Sequence, residues 1–299
     1  MARKITIFTA PKPFTNPHID LIQRNAIRSW LQLGKEADII LIGEEAGLAE
    51  VAEEYQVTHL PGVDRNEWGT PQVDSIFQLA RKVSDNQILA YVNADIILPP
   101  DLIDVAREVC RLEDQFLIVG RRWDMEIKKE IKFHDEWVEE LQSEVDRKGK
   151  LHGLAGIDFF IFPRDVFVEV PPFAIGRAGW DNWMIYEAKT KGWKVIDITP
   201  SLMVIHQEHD YGHLPDGKPH YGLEESFKNV SMGGGFRTVY DLLDVDYAFV
   251  EGRVKRVPLS LPRTLRKLER WIIPEEKSGW RWRFVRQLRN WQGKCLEDN

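Results

Sequence analysis

Two hydrophobic periods alternate through the first hundred residues. "KITIFTA" (residues 4–10) reads as a strand and is closed by the proline-bearing "PKPFTNP". In the following "HIDLIQRNAIRSWLQL", Ile19, Ile22, Ala26, Ile27, Trp30 and Leu33 recur on one face at helical spacing. "ADIILIG" predicts a second strand, Leu48–Tyr55 a short helix and "QVTHL" a brief strand. "PQVDSIFQLARKVS" predicts a helix with Pro71 suitably near its start. Next comes "ILAYVNADIIL" (residues 88–98), an apolar strand interrupted by Asn93 and Asp95 and stopped by Pro99-Pro100. This β-α-β-α-β order predicts a parallel sheet with helices on its faces.

Past residue 100 the pattern becomes mixed. "LIDVAREVCRL" reads as a helix, "FLIVGRRW" as a strand and the charged "EIKKEIKFHDEWVEELQSEVDRKG" as an exposed helical insertion. "GIDFFIFP" follows as a strand, "DNWMIYEAKTKG" as a helix, and "KVIDI" and "LMVIH" as strands. "VPLSLP", from Val257, reads as an extended linker, dividing a body of residues 1–256 from a helical extension of residues 257–299.

A charge inside a buried strand costs several kcal/mol unless it is paired or binds a cation, and a proline pair cannot continue a central strand. Asn93 and Asp95 therefore belong at or just past a strand's C-terminal end, where open α/β sheets place their ligands. The plainer alternative is that Asp95 caps the following turn. Thr9-Ala10-Pro11 and Gly43-Glu44 end the first two strands in the same way. If the strands are parallel, these residues share one sheet edge with Asn93, Ala94 and Asp95, placed to hold a nucleotide and a metal. Glu44 has the chemistry to accept a hydrogen bond from a base or ribose hydroxyl, although a loop glutamate is more often solvated. Arg121 and Arg122, after a strand, suit a phosphate or a carboxylate-bearing acceptor, or stand as surface charges. Asp158 interrupts an apolar strand and is expected on the acceptor side or on a backbone group. "MGGGF" (residues 232–236) lacks the Lys-Ser/Thr of a P-loop and reads as a mobile loop, a lid over the acceptor.

Four features in chain order resemble the GT-A glycosyltransferases, over about residues 4–210. Asn93-Ala94-Asp95 is similar to the family's metal-binding "DxD", with a neutral amide in the first position, a weaker ligand for a hard cation. "LHGLAGIDFFIF" resembles its glycine loop, matched at Gly153, Ala155 and Gly156. "GWDNWMIYEAKTKGWKVI" resembles the "xED" helix that ends in a glycine, with Asp181 and Gly192 at the family's spacing and Trp180 where an acid is usual. His206, after "LMVI", resembles the family's late histidine, with His209 in reserve. The resemblance implies a mixed, mostly parallel sheet of Rossmann-like type flanked by helices. It implies transfer of a sugar from a nucleotide-diphosphate donor to an acceptor hydroxyl, with inversion and with Asp181 as base. Asp95 and His206 would hold Mn²⁺ or Mg²⁺. Thr9, Ala10, Pro11, Glu44, Asn93, Ala94, Arg121, Arg122 and Gly156 would lie on the donor, and Trp180 and Asp158 on the acceptor side. A sugar nucleotidyltransferase and a non-catalytic sugar-nucleotide-binding protein are the alternatives. The former is disfavoured by the absence of glycine from "FTAPKPFTN". A zinc site of His206, His209 and His213 is a further rival, without a cysteine to accompany it.

Composition adds location and partners. The chain is 43% hydrophobic and 29% charged, as expected of a globular protein. Two cysteines, no signal-like apolar run in "MARKITIFTA" and no membrane-length apolar stretch lead to an expectation of a cytoplasmic protein. The net charge of −7 conceals a basic segment, residues 253–294, with thirteen Lys/Arg against three Asp/Glu, which leaves residues 1–252 at −15. That body is unsuited to nucleic acid, and the basic extension stands out as a contact surface. In the extension Trp280, Phe284, Leu288 and Trp291 recur every three or four residues. They are expected to pack on the body with arginines facing solvent. The other reading is an interfacial helix at the inner membrane face, which would suit a lipid-linked acceptor.

Overall fold

The structure is a computed structural model that describes residues 4–209 and 222–297; His213 lies outside the described residues. In chain order it opens with β1 (Ile5–Thr9), α1 (Pro17–Leu31), β2 (Ala37–Ile42), α2 (Leu48–Tyr55), β3 (Thr58–Leu60), α3 (Val73–Val83) and β4 (Ile88–Val92). It continues with β5 (Ile96–Ile97), α4 (Leu102–Leu112), β6 (Phe116–Val119), β7 (Arg122–Met125), α5 (Trp137–Lys148), β8 (Lys150–Leu151) and β9 (Phe159–Pro163). The remainder is α6 (Trp180–Thr190), β10 (Lys194–Asp197), β11 (Val204–Gln207), α7 (Glu224–Met232), β12 (Tyr247–Val250), β13 (Arg253–Arg256), α8 (Leu261–Ile272) and α9 (Gly279–Glu297).

Nine strands form one sheet in the order β13-β12-β10-β6-β9-β4-β1-β2-β3, parallel at every pairing except those of β9 and β13. This mostly parallel mixed sheet flanked by helices is the GT-A-like architecture the resemblance implies. The apolar runs explain it. All five residues of β1 and of β4 are buried, so neither face of the sheet centre admits a charge. Ile5 and Ile7 join Ala26, Ile27 and Trp30 of α1 on one face, while Phe8 meets Phe77 of α3 on the other. Each such side chain contributes roughly 1.5–3 kcal/mol by leaving water.

Two stretches that read as single strands are each divided between sheets. "ILAYVNADIIL" turns at Asn93–Asp95 into β5, and "FLIVGRRW" leaves β6 at Gly120 for β7. There a Cβ would crowd Phe159 at 3.1 Å and Thr199 at 3.3 Å, so glycine lets the chain cross. β5 and β7 belong to a second sheet, β5-β11-β7-β8. The charged insertion is helical only over α5, and α5 is not all exposed. Trp137, Leu141 and Val145, four residues apart, bury against Ile97, Met125 and Ile205 of the second sheet.

The C-terminal segment also departs from expectation. β12 and β13 extend the main sheet, and α8 and α9 pack as a hairpin whose inner stripe is Val285 and Leu288 against Ile272 and Ile273. Of the expected stripe, Leu288 is buried against α8, whereas Trp280 is 73% and Trp291 42% exposed and neither packs on the body as expected. The Met232–Phe236 turn is not a lid over the cleft described below: Gly233 lies against Trp183 of α6, and Phe236 packs on Trp282. Arg266 of α8 fastens the hairpin to the body through Asp241 (2.8 Å) and Asp244 (2.9 Å), and it also pairs with Glu269 (2.9 Å). Removing one member of such a buried cluster strands the others. Arg266→Ala should therefore cost about 3–5 kcal/mol of unfolding free energy, read from urea denaturation.

Candidate active site

The C-terminal ends of the central strands open into a cleft of about 480 Å³. β1 delivers Ala10 and Pro11 to it, β4 delivers Asn93, Ala94 and Asp95, and the glycine loop delivers Ala155 and Gly156. Asp158, Arg122, Asp181, His206 and His209 line the same space. Asp95, His206 and Asp181, separated by more than a hundred positions, therefore face one cleft. Five expected residues do not line it. Thr9 is buried in β1, and Glu44 is exposed while its neighbour Glu45 lines the cleft. Arg121 donates to the His152 carbonyl at 2.7 Å. Trp180, expected on the acceptor side, is core: its ring meets Tyr91 at 5.2 Å and Phe160 at 5.3 Å. Gly153 of the glycine loop also lies outside, whereas a Cβ on Gly156 would collide with the His152 ring at 2.3 Å.

The second sheet builds one wall. Its register sets His206 across from Asp124 on β7 and from Ile96 on β5, next to Asp95. Asp124 Oδ1 lies 3.0 Å from His206 Nδ1, and the other ring nitrogen, Nε2, faces Asp95 Oδ2 at 3.9 Å. His209 Nε2 approaches the same Asp95 oxygen at 3.2 Å. Ligand atoms of Asp95, His206 and His209 all lie within 4.8 Å of one another. The remaining Asp95 oxygen, Oδ1, is buried without a hydrogen-bond partner. A buried carboxylate oxygen left unpaired beside two imidazoles fits a divalent cation, for which one carboxylate and two histidines are suitable donors. Burial would raise the Asp95 pKa, but the His209 hydrogen bond and the charges of His206 and Lys12 outweigh it and hold the carboxyl well below its usual range.

Lys12, His152 and Asp124 also belong to this constellation, and sequence reasoning passed over them. Lys12 Nζ stands 3.1 Å from His209 Nε2. Its backbone is clamped by the buried Gln23 of α1, which accepts from Lys12 N–H (2.7 Å) and donates to its carbonyl (2.9 Å). The available signal was its position two residues past the end of "KITIFTA". Asp124 also takes His152 Nδ1 at 2.6 Å and Arg122 Nε at 3.0 Å. These bonds outweigh its burial and keep it ionised well below the usual carboxylate range.

The neutral residue of the "DxD"-like segment has a structural partner. Asn93 Nδ2 donates to Asp158 Oδ1 at 2.6 Å, and Asn93 Oδ1 accepts from Tyr91 at 3.1 Å. Arg122 pairs with the other Asp158 oxygen. Asp181 differs from these carboxylates. Gly179, with φ of 106°, is the N-cap of α6, and Asp181 sits in the first turn and accepts from Gly179 N–H at 3.2 Å. Ringed by protein yet open to the cleft, its carboxyl is pushed up to about 7 by burial and by the nearby Asp158 charge.

No protein-family model and no curated protein matches the chain. Among solved structures, TarS from S. aureus (residues 1–349) is 10% identical, with a TM-score of 0.46 over 68% of this chain and 60% of that one. Glucosyl-3-phosphoglycerate synthase from Mycobacterium tuberculosis, solved with Mn²⁺, uridine diphosphate and glucosyl-3-phosphoglycerate, is 13% identical, with a TM-score of 0.45 over 87% of this chain and 88% of that one. 4-Diphosphocytidyl-2C-methyl-D-erythritol synthase from Anaerococcus prevotii is 9% identical, with a TM-score of 0.42 over 77% of this chain and 99% of that one. At these scores and identities, the functional reading rests on the cleft's own geometry.

Asn93→Asp would replace the donor facing Asp158 with a second carboxylate. A lost bond to a charged group is worth about 1.5–3 kcal/mol, and urea denaturation measures the deficit.

Proposed function

We propose that this chain is a glycosyltransferase that moves a sugar from a nucleotide-diphosphate donor to an acceptor hydroxyl, inverting the anomeric centre. The observation that carries this reading is a Asp-His-His cation set and a carboxylate of raised pKa sharing one cleft at the sheet edge. Asp95, His206 and His209 would hold Mn²⁺ or Mg²⁺, and a cation there supplies Lewis-acid stabilisation of the departing diphosphate. Lys12, beside His209, adds positive charge for the phosphates. Asp181 takes the proton of the acceptor hydroxyl as that oxygen bonds to the anomeric carbon. The bond from that carbon to the diphosphate oxygen breaks, and its electron pair leaves with the diphosphate. Attack from the face opposite the leaving group inverts the configuration. A base with pKa near 7 suits this work at neutral pH, because it is largely available yet still holds a proton well. Among the described residues no helix is long and apolar enough to cross a membrane.

The first test is a thermal-shift screen with UDP, GDP, dTDP and CMP, each with and without Mn²⁺, followed by transfer assays with the matching sugar nucleotide. No shift with any nucleotide would overturn the reading. Asp181→Asn should abolish transfer while leaving donor affinity nearly unchanged. With a folded-state pKa of about 7, kcat/KM should rise about tenfold per pH unit below 7 and level off above it. Stability runs the other way: the folded carboxyl holds its proton to higher pH than the unfolded one, so this group's contribution is lost as pH rises towards 7. Asp181→Asn removes that dependence and should melt higher than the parent at pH 8.

The pairing of Asp124 with His206 generates a separate expectation. A carboxylate on the far nitrogen of a metal-binding imidazole fixes its orientation and raises its basicity. Asp124→Asn should weaken Mn²⁺ binding roughly 10–100-fold, read by electron paramagnetic resonance titration without donor or acceptor.

A further inference from the structure

A second cavity, of about 490 Å³, lies where the C-terminal hairpin meets the body, and it shares no lining residue with the cleft. Five cations line it: Lys189 from α6, Arg256 at the end of β13, and Arg263, Lys267 and Arg270 from α8. Only two carboxylates accompany them, Asp244 and Asp246. Both are already engaged, Asp246 with Lys189, and Asp244 with Arg266 at 2.9 Å and Arg270 at 3.3 Å. Arg263 spends its donors on the carbonyls of Leu242, Leu243 and Val245, which satisfy its N–H groups without cancelling its charge. Arg256, Arg263 and Lys267 have no carboxylate within ion-pair distance among the described residues. Arg270 Nε is buried in the same region with no hydrogen-bond partner. Burial lowers the pKa values of Arg263 and Arg270, as expected of cations removed from water without full compensation.

The rest of the wall is apolar, with Leu243, Val257, Pro258 and Leu259. Leu259 is 66% exposed, and on the same hairpin Leu261 is 60%, Trp271 80% and Trp280 73% exposed. Trp271 lies four residues after Lys267 in α8, so the two share a helix face. The body that carries this surface is acidic, −15 over residues 1–252 against +10 over residues 253–294. Repulsion of the body and attraction of the hairpin would both present this surface to a negatively charged partner.

We propose that this cavity is a second binding site, for a phosphate group carried on an apolar body. Arg256 and Lys267 take the phosphate oxygens, Arg263 adds positive charge behind them, and Leu259 meets the apolar part. A lipid headgroup and a free phosphate ester share this chemistry, and neither the donor cleft nor the reaction assigned to it enters the inference.

The experiment has two arms on the full chain. In one, inorganic phosphate and glycerol 3-phosphate are titrated calorimetrically. In the other, vesicles of phosphatidylcholine, alone or with phosphatidylglycerol, are floated with the protein. The variant R256E/K267E alters two exposed side chains, and circular dichroism and the melting temperature check its fold. Saturable binding in either arm, weakened at least tenfold by R256E/K267E, is the expected result. Flotation with anionic vesicles that Trp271→Ala also reduces identifies the lipid source, whereas soluble binding that Trp271→Ala leaves unchanged identifies a free phosphate. Absence of binding in both arms overturns the proposal. So does binding that R256E/K267E leaves intact, or flotation equal on neutral and anionic vesicles.

Discussion

The cleft depends on the register of β11 between β5 and β7. His206 lies across from Asp124 on one side and beside Asp95 on the other only in that register. A one-residue slip would turn the imidazole to the opposite face of the sheet, against Met125, Ile97 and α5. Two sets of contacts prevent it. Ile205 is buried in the apolar layer under α5, so a slip would expose it and bury a histidine. Gln207 is clamped inside the protein, donating to the Ile22 carbonyl at 2.7 Å and accepting from Asn25 at 3.1 Å. Its backbone N–H also reaches the Asp95 carbonyl at 3.2 Å, which ties the two segments that carry the candidate cation ligands directly together.

The second organising effect is unequal charge compensation. Among the described residues five carboxylates face or border the cleft, and four of them are matched, Glu45 by Arg65 at 2.8 Å. Asp95 has His209 and Lys12, Asp124 has His152, His206 and Arg122, and Asp158 has Arg122. Asp181 receives backbone N–H groups and the repulsion of Asp158 but no cation at bonding distance among the described residues. Separating like groups by environment is how one site keeps some acids as permanent anions and another as a proton acceptor. The first turn of α6 favours negative charge at Asp181, and burial opposes it more strongly, which places its titration near neutrality.

The sequence made the main sheet legible because its strands are apolar on both faces and its helices carry single apolar stripes. Periodicity carries no information on whether a strand stays in its sheet. The division at Gly120 is visible only once Phe159 and Thr199 are seen to crowd the glycine. Asp95, Asp181 and His206 were readable because each follows or precedes a strong element in chain order. Asp124, 82 positions from His206 and 28 from His152, pairs at distances no local pattern encodes. Trp180 misled for another reason. Chain position made it an acceptor-side residue, yet its volume fills the aromatic cluster beneath the cleft floor. In α9, periodicity gave a single stripe of Trp280, Phe284, Leu288 and Trp291, whereas the face that packs on α8 is offset from it, with Val285 and Leu288 inward and Trp280 and Trp291 outward.

The amide at position 93 looks like a loss when set against a paired-carboxylate motif, but its surroundings give it a different meaning. Asp158, at the entry to β9, stands 2.6 Å from Asn93 Nδ2, close to where a carboxylate at position 93 would put its own charge. Two anions at that separation cannot both ionise without a large cost. The negative charge sits at the start of β9, where Arg122 neutralises it. Asn93 then serves as the donor that orients Asp158, and Tyr91 holds the amide from behind. With that position filled, the candidate cation ligands are Asp95, His206 of β11 and His209 after it. Asn93, Arg122 and Asp158 thus form one compensated charge arrangement, and Asp95 with His206 and His209 forms a separate candidate cation set beside it.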